Sequence, residues 1–243
     1  TDPGLYYAEN VGGGVALLDA MLATDVGRIV FSSTAAVYGI AKAAFVSEDT
    51  PLDPINPYGT SKLMTEWMLR DVAAANPLNY VALRYFNVAG ADPEARSGQA
   101  TPRATHLIKT ACEVVTGQRP SMSVFGTDYK TRDGTCIRDY IHLGDLVSAH
   151  ILALSALSEY DKLIYCLGSG NGYSVREVIN TAAEVSGRAI PVIEMPRREG
   201  DSARLVASSE KIRRELGWKP QHDSLKDIMA SAWEWHSSHP AGY

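Results

Sequence analysis

Apolar residues recur at helical spacing from Tyr6 to Met21, and the short apolar run Arg28-Ile29-Val30-Phe31 follows, so the chain opens as a helix and then a strand. Gly12-Gly13-Gly14 falls inside the helical pattern with no strand before it, which predicts close helix packing or a kink rather than a phosphate loop. A loop rich in Pro, Asp and Asn covers Asp49 to Pro57. A second helix is predicted from Tyr58 to about Ala74, broken near Asn76-Pro77, and the β-rich run Tyr80 to Tyr85 comes next. Ala89 to Thr105, with its Pro, Gly, Ser and charged residues, reads as a long functional loop. Beyond it the pattern gives a helix from Thr105 to Val115, a short strand from Ser123 to Phe125, a polar loop through Thr135, a helix from Asp145 to Ser155 and a strand from Leu163 to Leu167.

Punctuation is clearest in the C-terminal third. Ser174-Val175-Arg176-Glu177 has the form of a capping box, and the apolar face Val178, Ala182, Val185 runs to a stop at Gly187. Ser209 precedes a short helix ending at Gly217, with Pro220 beyond. A last helix from Ser224 carries Leu225, Ile228, Met229, Ala232 and Trp233 on one stripe, as expected for packing against the domain. Strand and helix alternate along the chain, the signature of an α/β fold with a parallel sheet.

Chemistry concentrates in Tyr58-Gly59-Thr60-Ser61-Lys62, a short way downstream of Phe31-Ser32-Ser33-Thr34-Ala35-Ala36-Val37-Tyr38-Gly39. One helical turn separates Tyr58 from Lys62, so both fall on one face and the ammonium can sit beneath the phenol. A phenol titrates at about 10, and a nearby Lys together with a positively charged nicotinamide is expected to lower it toward neutrality, making Tyr58 a general base. Thr34, at the end of the strand Ile29 to Ser33, offers a hydroxyl for the same substrate oxygen.

Composition narrows the setting. At 243 residues, 45% hydrophobic and 21% charged, the chain suits one large or two small globular domains. No apolar run approaches the ~20 residues that span a bilayer, and the start carries no basic-then-apolar signal. Cys112, Cys136 and Cys166 are widely spaced, as expected for buried thiols rather than a disulfide scaffold. A cytoplasmic protein without a membrane partner is expected. The net charge of −5 argues against nucleic acid as the main partner, so an anionic ligand must be met locally.

Together with YYAENVGG, LRYFNVAGADP, VFGTDYKTRDGTCIRDYIHLGDL and PRREGD, these motifs resemble the extended short-chain dehydrogenase/reductase proteins, and within them the UDP-glucose 4-epimerases, over nearly the whole chain. The resemblance implies a Rossmann-type parallel sheet for residues 1–88, with about 139–168 returning to it, and a smaller UDP-sugar domain from 89–138 and 169–243. It further implies tightly held NAD and a homodimer made through two helices of the first domain. Carried over by position, Tyr58 resembles the base for the sugar 4-hydroxyl, Lys62 the residue on the nicotinamide ribose, and Thr34 the hydroxyl beside O4. Asn10 and Phe86 resemble cofactor contacts. Asn87 resembles a sugar-nucleotide contact, Phe125 a uracil contact, Arg138 and Arg198 the diphosphate arginines, and Asp201 an acid near the nucleotide ribose. The planar fork of arginine suits a diphosphate.

The pattern has departures. His106 stands where many members carry a diphosphate-contacting asparagine, leaving a ligand contact and a helix-start role both open. Leu205 replaces a bulkier residue at the sugar end, which leaves the acceptance of N-acetylated sugars open. No strand, glycine-rich turn and helix open the chain, and Thr1 stands in place of Met. The expectation is an N-terminally truncated protein lacking about three βαβ units, or ~90 residues. Alone, it is expected to bind no NAD, to lack activity and to be poorly soluble. A 4,6-dehydratase is disfavoured, because Ala35 and Ala36 occupy the positions where that reaction needs an acid/base pair. A UDP-pentose 4-epimerase and a non-catalytic sugar-nucleotide-binding module remain as alternatives.

Overall fold

The β-rich run expected at Tyr80–Tyr85 is the middle strand of a three-stranded parallel sheet. A computed structural model describes residues 2–102 and 105–242; residues 103–104 of the long loop expected over 89–105 lie outside them. Helix α1 (Pro3–Tyr6) runs through a π-helical stretch (Tyr7–Gly12) into α2 (Gly13–Ala23). Strand β1 (Arg28–Ser32), a 3₁₀ turn (Ala35–Tyr38), α3 (Pro57–Ala75) and β2 (Asn79–Tyr85) follow. Next come β3 (Asn87–Ala89), α4 (Leu107–Val115), β4 (Met122–Phe125), β5 (Ile137–Arg138), β6 (Tyr140–His142) and α5 (Leu143–Ala156). The chain continues through β7 (Lys162–Leu167), β8 (Tyr173–Ser174), α6 (Val175–Ser186), β9 (Val192–Met195), β10 (Arg204–Leu205), α7 (Glu210–Leu216) and α8 (Leu225–Ser238).

Two compact units result. The first comprises Thr1–Tyr85, Ser148–Leu167 and Ser208–Trp218. Its sheet has the order β1-β2-β7, with Val30 opposite Val81 and Ala82 opposite Ile164. Val81, Ala82 and Leu83 are fully buried, as the central strand of a parallel sheet must be when both faces are covered. Leu18 and Met21 of α2 and Leu69 of α3 pack with Leu78, Tyr80 and Ala82 in one apolar cluster. Gly14 permits the close approach of α2 to α3, since a Cβ there would come within 2.9 Å of the Met68 side chain. The returning segments differ from the 139–168 read off the sequence. Residues 139–147 belong to the second unit, while 208–218 join the first because α7 docks on β7, where Lys211 Nζ donates to Ile164 O at 3.2 Å and Tyr165 Oη to Glu215 Oε2 at 3.0 Å.

The second unit comprises Phe86–Val147, Gly168–Ala207 and Lys219–Tyr243. Its core is built from Ile108, Ala111 and Cys112 of α4, Val178 and Ala182 of α6, and Leu225, Ile228, Met229 and Ala232 of α8, with Met122 and Val124 of β4. The capping box at Ser174 forms, and Gly187 closes α6 in the left-handed region at φ 66°. The stripe assigned to α8 is corrected at its end. Trp235 and His236 are buried and Trp233 only half-buried, so the inward face runs on to positions that the Trp233 assignment missed. Short strands frame the loops: β5 lies between parallel β10 and antiparallel β8, β3 pairs with β6, and β4 with β9.

Candidate active site

In the first unit β1 ends at Ser32, and Thr34 adopts extended backbone with its Oγ1 accepting from Ala36 N at 3.1 Å, which caps the following 3₁₀ turn. Helix α3 starts beside that turn. Asn56 caps it, its Oδ1 accepting from Gly59 N at 2.9 Å, and Pro57 suits the first helical position. Gly59 is required by proximity, since a Cβ there would sit 2.6 Å from Ala36 O. The first turn of α3 therefore lies against the Thr34 turn, and the Thr34 hydroxyl hydrogen-bonds Tyr58.

Burial holds the Tyr58 phenol above its ordinary pKa, the Thr34 hydrogen bond pulls it down, and neighbouring Tyr85 and Tyr6 push it up. This corrects the direction expected from the spacing of Tyr58 and Lys62. The ammonium shares the helix face with the phenol but is engaged with β1: Nζ donates to Ser32 O at 3.1 Å and lies 5.1 Å from the Phe31 ring centroid. Burial in turn lowers the pKa of Lys62. Asn10, in the π-helical stretch, donates from Nδ2 to Ser61 Oγ at 2.9 Å and accepts at its carbonyl from Thr65 Oγ1 at 3.1 Å. Thus Asn10, Thr34, Tyr58 and Lys62 gather in one unit; Phe86, buried, begins the other. Ala35 and Ala36 form the 3₁₀ turn and bring no ionisable group to it.

Lys62 carries donors that fit the ribose at the nicotinamide end of a dinucleotide. An ammonium has three N–H donors and Lys62 directs one at Ser32 O, so donors remain for the hydroxyls of a ribose.

All six residues expected to meet a sugar nucleotide line one cavity of the second unit, of about 490 Å³: Asn87, His106, Phe125, Arg138, Arg198 and Asp201. Arg138 is fixed by its own surroundings, NH1 donating to Ile137 O at 2.9 Å and Ser202 O at 2.7 Å and NH2 to Asp201 Oδ1 at 3.2 Å. The Arg198 guanidinium lies 3.6 Å from the Phe125 ring centroid, a cation–π contact that settles where its donors sit. Asn87 Nδ2 donates to Asp139 O at 2.8 Å. His106 stands at the N-cap of α4 without a side-chain capping bond and lines the cavity. Leu205, on β10, pairs in register with Arg138 of β5. Arg119, which the sequence reading missed, lines the same cavity and bonds Glu113. Arg119 is paired with Glu113 and Arg138 with Asp201, so the positive charge this cleft offers rests mainly on Arg198, in a chain of net charge −5.

Also unforeseen are Tyr6, whose ring centroid is 5.9 Å from that of Tyr58, and the buried pair of Glu66 and Arg84. Glu66 had a signal, since it continues the i, i+4 stripe of Tyr58 and Lys62.

A strand ending in a hydroxyl turn lies against a Tyr-x-x-x-Lys helix in an α/β unit, and the model of the NAD dependent epimerase/dehydratase family matches residues 1–168. The chain belongs to that family. It is 55% identical over 234 residues to the UDP-glucose 4-epimerase of Azospirillum brasilense, covering 96% of this chain and 67% of that protein. The crystal structure of UDP-glucose 4-epimerase from Brucella ovis in complex with NAD matches with a TM-score of 0.93 at 42% identity, covering 96% of this chain and 72% of that one. The enzyme from Bifidobacterium longum in complex with NAD+ and UDP matches with a TM-score of 0.93 at 40% identity, covering 99% and 72%.

Proposed function

We propose that this chain acts as a UDP-glucose 4-epimerase, interconverting UDP-glucose and UDP-galactose through a transient 4-keto sugar. The observation that carries the reading is the meeting of the Thr34 hydroxyl with Tyr58 at the carboxyl end of β1, with Lys62 one turn on. Bound NAD would supply reversible hydride acceptance for C4 of the sugar and a positively charged ring. The first unit is assigned to this cofactor through Asn10, Thr34, Tyr58 and Lys62, with Phe86 beside it in sequence as a further contact. The second unit is assigned to UDP through Asn87, His106, Phe125, Arg138, Arg198 and Asp201.

Tyr58 takes the proton of the sugar 4-hydroxyl and gives it back once the ketone is reduced from the other face. Thr34 holds the phenolic oxygen and the substrate oxygen in one hydrogen-bonded set. Burial holds the phenol above its ordinary value, so its ionised form at neutral pH depends on positive charge brought near it. Arg138 and Arg198 retain the diphosphate while the sugar presents its second face, which accounts for inversion at one carbon only.

A cytoplasmic homodimer is part of the reading. Leu17 of α2 and Trp67 of α3 are large apolar side chains left exposed, which supports pairing through these two helices. The three free, buried cysteines suit a reducing compartment. Tyr58→Phe in the NAD-loaded protein tests the chemistry, since it removes only the ionisable oxygen. Turnover is expected to fall ~10² to 10⁴-fold with NAD retained. Near-normal conversion of UDP-galactose by that variant would sink the assignment.

A further inference from the structure

Glu66 and Arg84 form an ion pair in which each side chain is only 4% exposed. Arg84 NH2 donates to Glu66 Oε2 at 2.6 Å and Nε to Oε1 at 3.0 Å, while Ser33 Oγ donates to Oε1 at 2.5 Å. Arg84 NH1 also donates to Tyr38 Oη at 3.1 Å, and that hydroxyl meets Cys166 Sγ at 2.8 Å. Ser33, Tyr38 and Cys166 are themselves buried. A pair of this kind adds little net stability, because desolvating two ions offsets most of their attraction. What it aligns is more telling.

Ser33 lies directly before Thr34. Glu66 stands on α3 two turns beyond Tyr58 and one beyond Lys62, on the same stripe. Arg84 is in β2 beside Tyr85, whose phenol is a charge neighbour of Tyr58. Three elements that each bring a group to the acid–base site are therefore tied at one buried point by directional bonds. The planar fork of Arg84 holds the carboxylate in one orientation, which an ammonium could not do.

We propose that Glu66 and Arg84, with Ser33, are positioning residues that set the spacing of Thr34 and Lys62 against Tyr58. The proposal rests on the reading of Tyr58 as the acid–base group. Misplacement by about 1 Å in such a site costs on the order of 10²-fold in rate.

The test compares three variants in the NAD-loaded protein. Glu66→Leu with Arg84→Met removes both charges together and leaves no lone buried ion. It is expected to lower kcat about 10 to 100-fold with KM for UDP-glucose within about twofold, and to speed amide hydrogen exchange at residues 34–36 and in the first turn of α3. Ser33→Ala leaves the pair intact and removes one hydroxyl. It is expected to give the same exchange signature with a smaller fall in kcat, about 3 to 10-fold, at an unchanged thermal midpoint, and it decides the matter alone should the double variant not fold. Wild-type kcat and exchange in Ser33→Ala or in a folded double variant overturn the proposal. Tyr58→Phe, run alongside, keeps the two ideas apart. Loss of activity there with normal turnover in the other variants refutes the positioning role only. Full activity there refutes the acid–base reading, and the exchange rates still report whether the pair holds the turn.

Discussion

Replacing Asp139 with Asn changes one atom type at a position with no exposed surface. Its Oδ1 accepts from Ser169 N at 2.9 Å and Ser169 Oγ at 2.7 Å, and its Oδ2 from Gly170 N at 3.0 Å and Ala207 N at 2.9 Å. The amide can keep its oxygen on Gly170 N and Ala207 N, and the Ser169 hydroxyl can turn to accept from the new NH2, but Ser169 N then loses its acceptor and faces another donor. One such lost bond costs about 1 to 3 kcal/mol. Part of this is offset, since burial holds the carboxyl above the usual range despite the hydrogen bonds that pull it down, so removing the charge relieves desolvation. The net loss is expected at about 1 to 2 kcal/mol, roughly 2 to 8 °C in thermal midpoint for a chain of this size. Asn87 hangs from the Asp139 carbonyl and Arg138 is its neighbour, so UDP affinity should fall about fivefold or more by the same displacement. Scanning calorimetry measures the first quantity and titration calorimetry with UDP the second. A midpoint within about 1 °C of wild type and an unchanged UDP affinity would refute the reasoning.

Arg138→Ala and Arg198→Ala should each weaken UDP binding by about 1.5 to 3 kcal/mol, with Arg198→Lys recovering little of it; equal affinity in both Ala variants by titration calorimetry would count against the cleft. His142 is buried, its Nδ1 accepting from Gly144 N at 3.0 Å, and burial followed by the neighbouring His222 ring depresses its pKa. The folded state therefore binds its proton less readily than the unfolded chain, so this contribution is present above about pH 6.5 and is lost as pH falls through the depressed folded value. Thermal midpoints should drop below that pH in the wild type, and His142→Asn, which keeps an acceptor near Nδ1, should flatten the profile. Ser174→Ala removes the acceptor for Glu177 N, 3.1 Å from Ser174 Oγ, and the donor to Asp133; denaturant titration should show a loss of roughly 1 to 2 kcal/mol.

Some of this molecule was legible in its sequence because the cause was local. Ser174, Glu177 and Gly187 mark the ends of α6 by bonds that span three or four residues, and the apolar run of β2 is long enough to show its burial. The two- and three-residue strands β3, β5, β8 and β10 carry no period to read, and only tertiary pairing defines them. Trp233 and Trp235 differ by two positions on α8, and which one turns inward depends on the helix's neighbours rather than on its own pattern. The spacing of Tyr58 and Lys62 places both on one face but says nothing of burial, which is why the direction of the phenol's shift was missed. Glu66 and Arg84 lie 18 residues apart and meet only when α3 lies along β2. The cleft residues, scattered from Asn87 to Asp201, were found by matching loops to a family, since no periodicity links them.

The π-helical stretch from Tyr7 to Gly12 accommodates one residue more than a plain α-helix would, as the Gly13 N bond to Ala8 O five positions back records. Deleting a single in-frame codon there would let the segment relax into ordinary α-helix with no penalty from the helix itself. Each residue contributes about 100° of rotation, so the side chain of Asn10 would swing away from Ser61 while the downstream face of α2 kept its packing. A gene that lost this one triplet would encode a chain whose helix α2 still packs on α3 while Asn10 no longer meets Ser61.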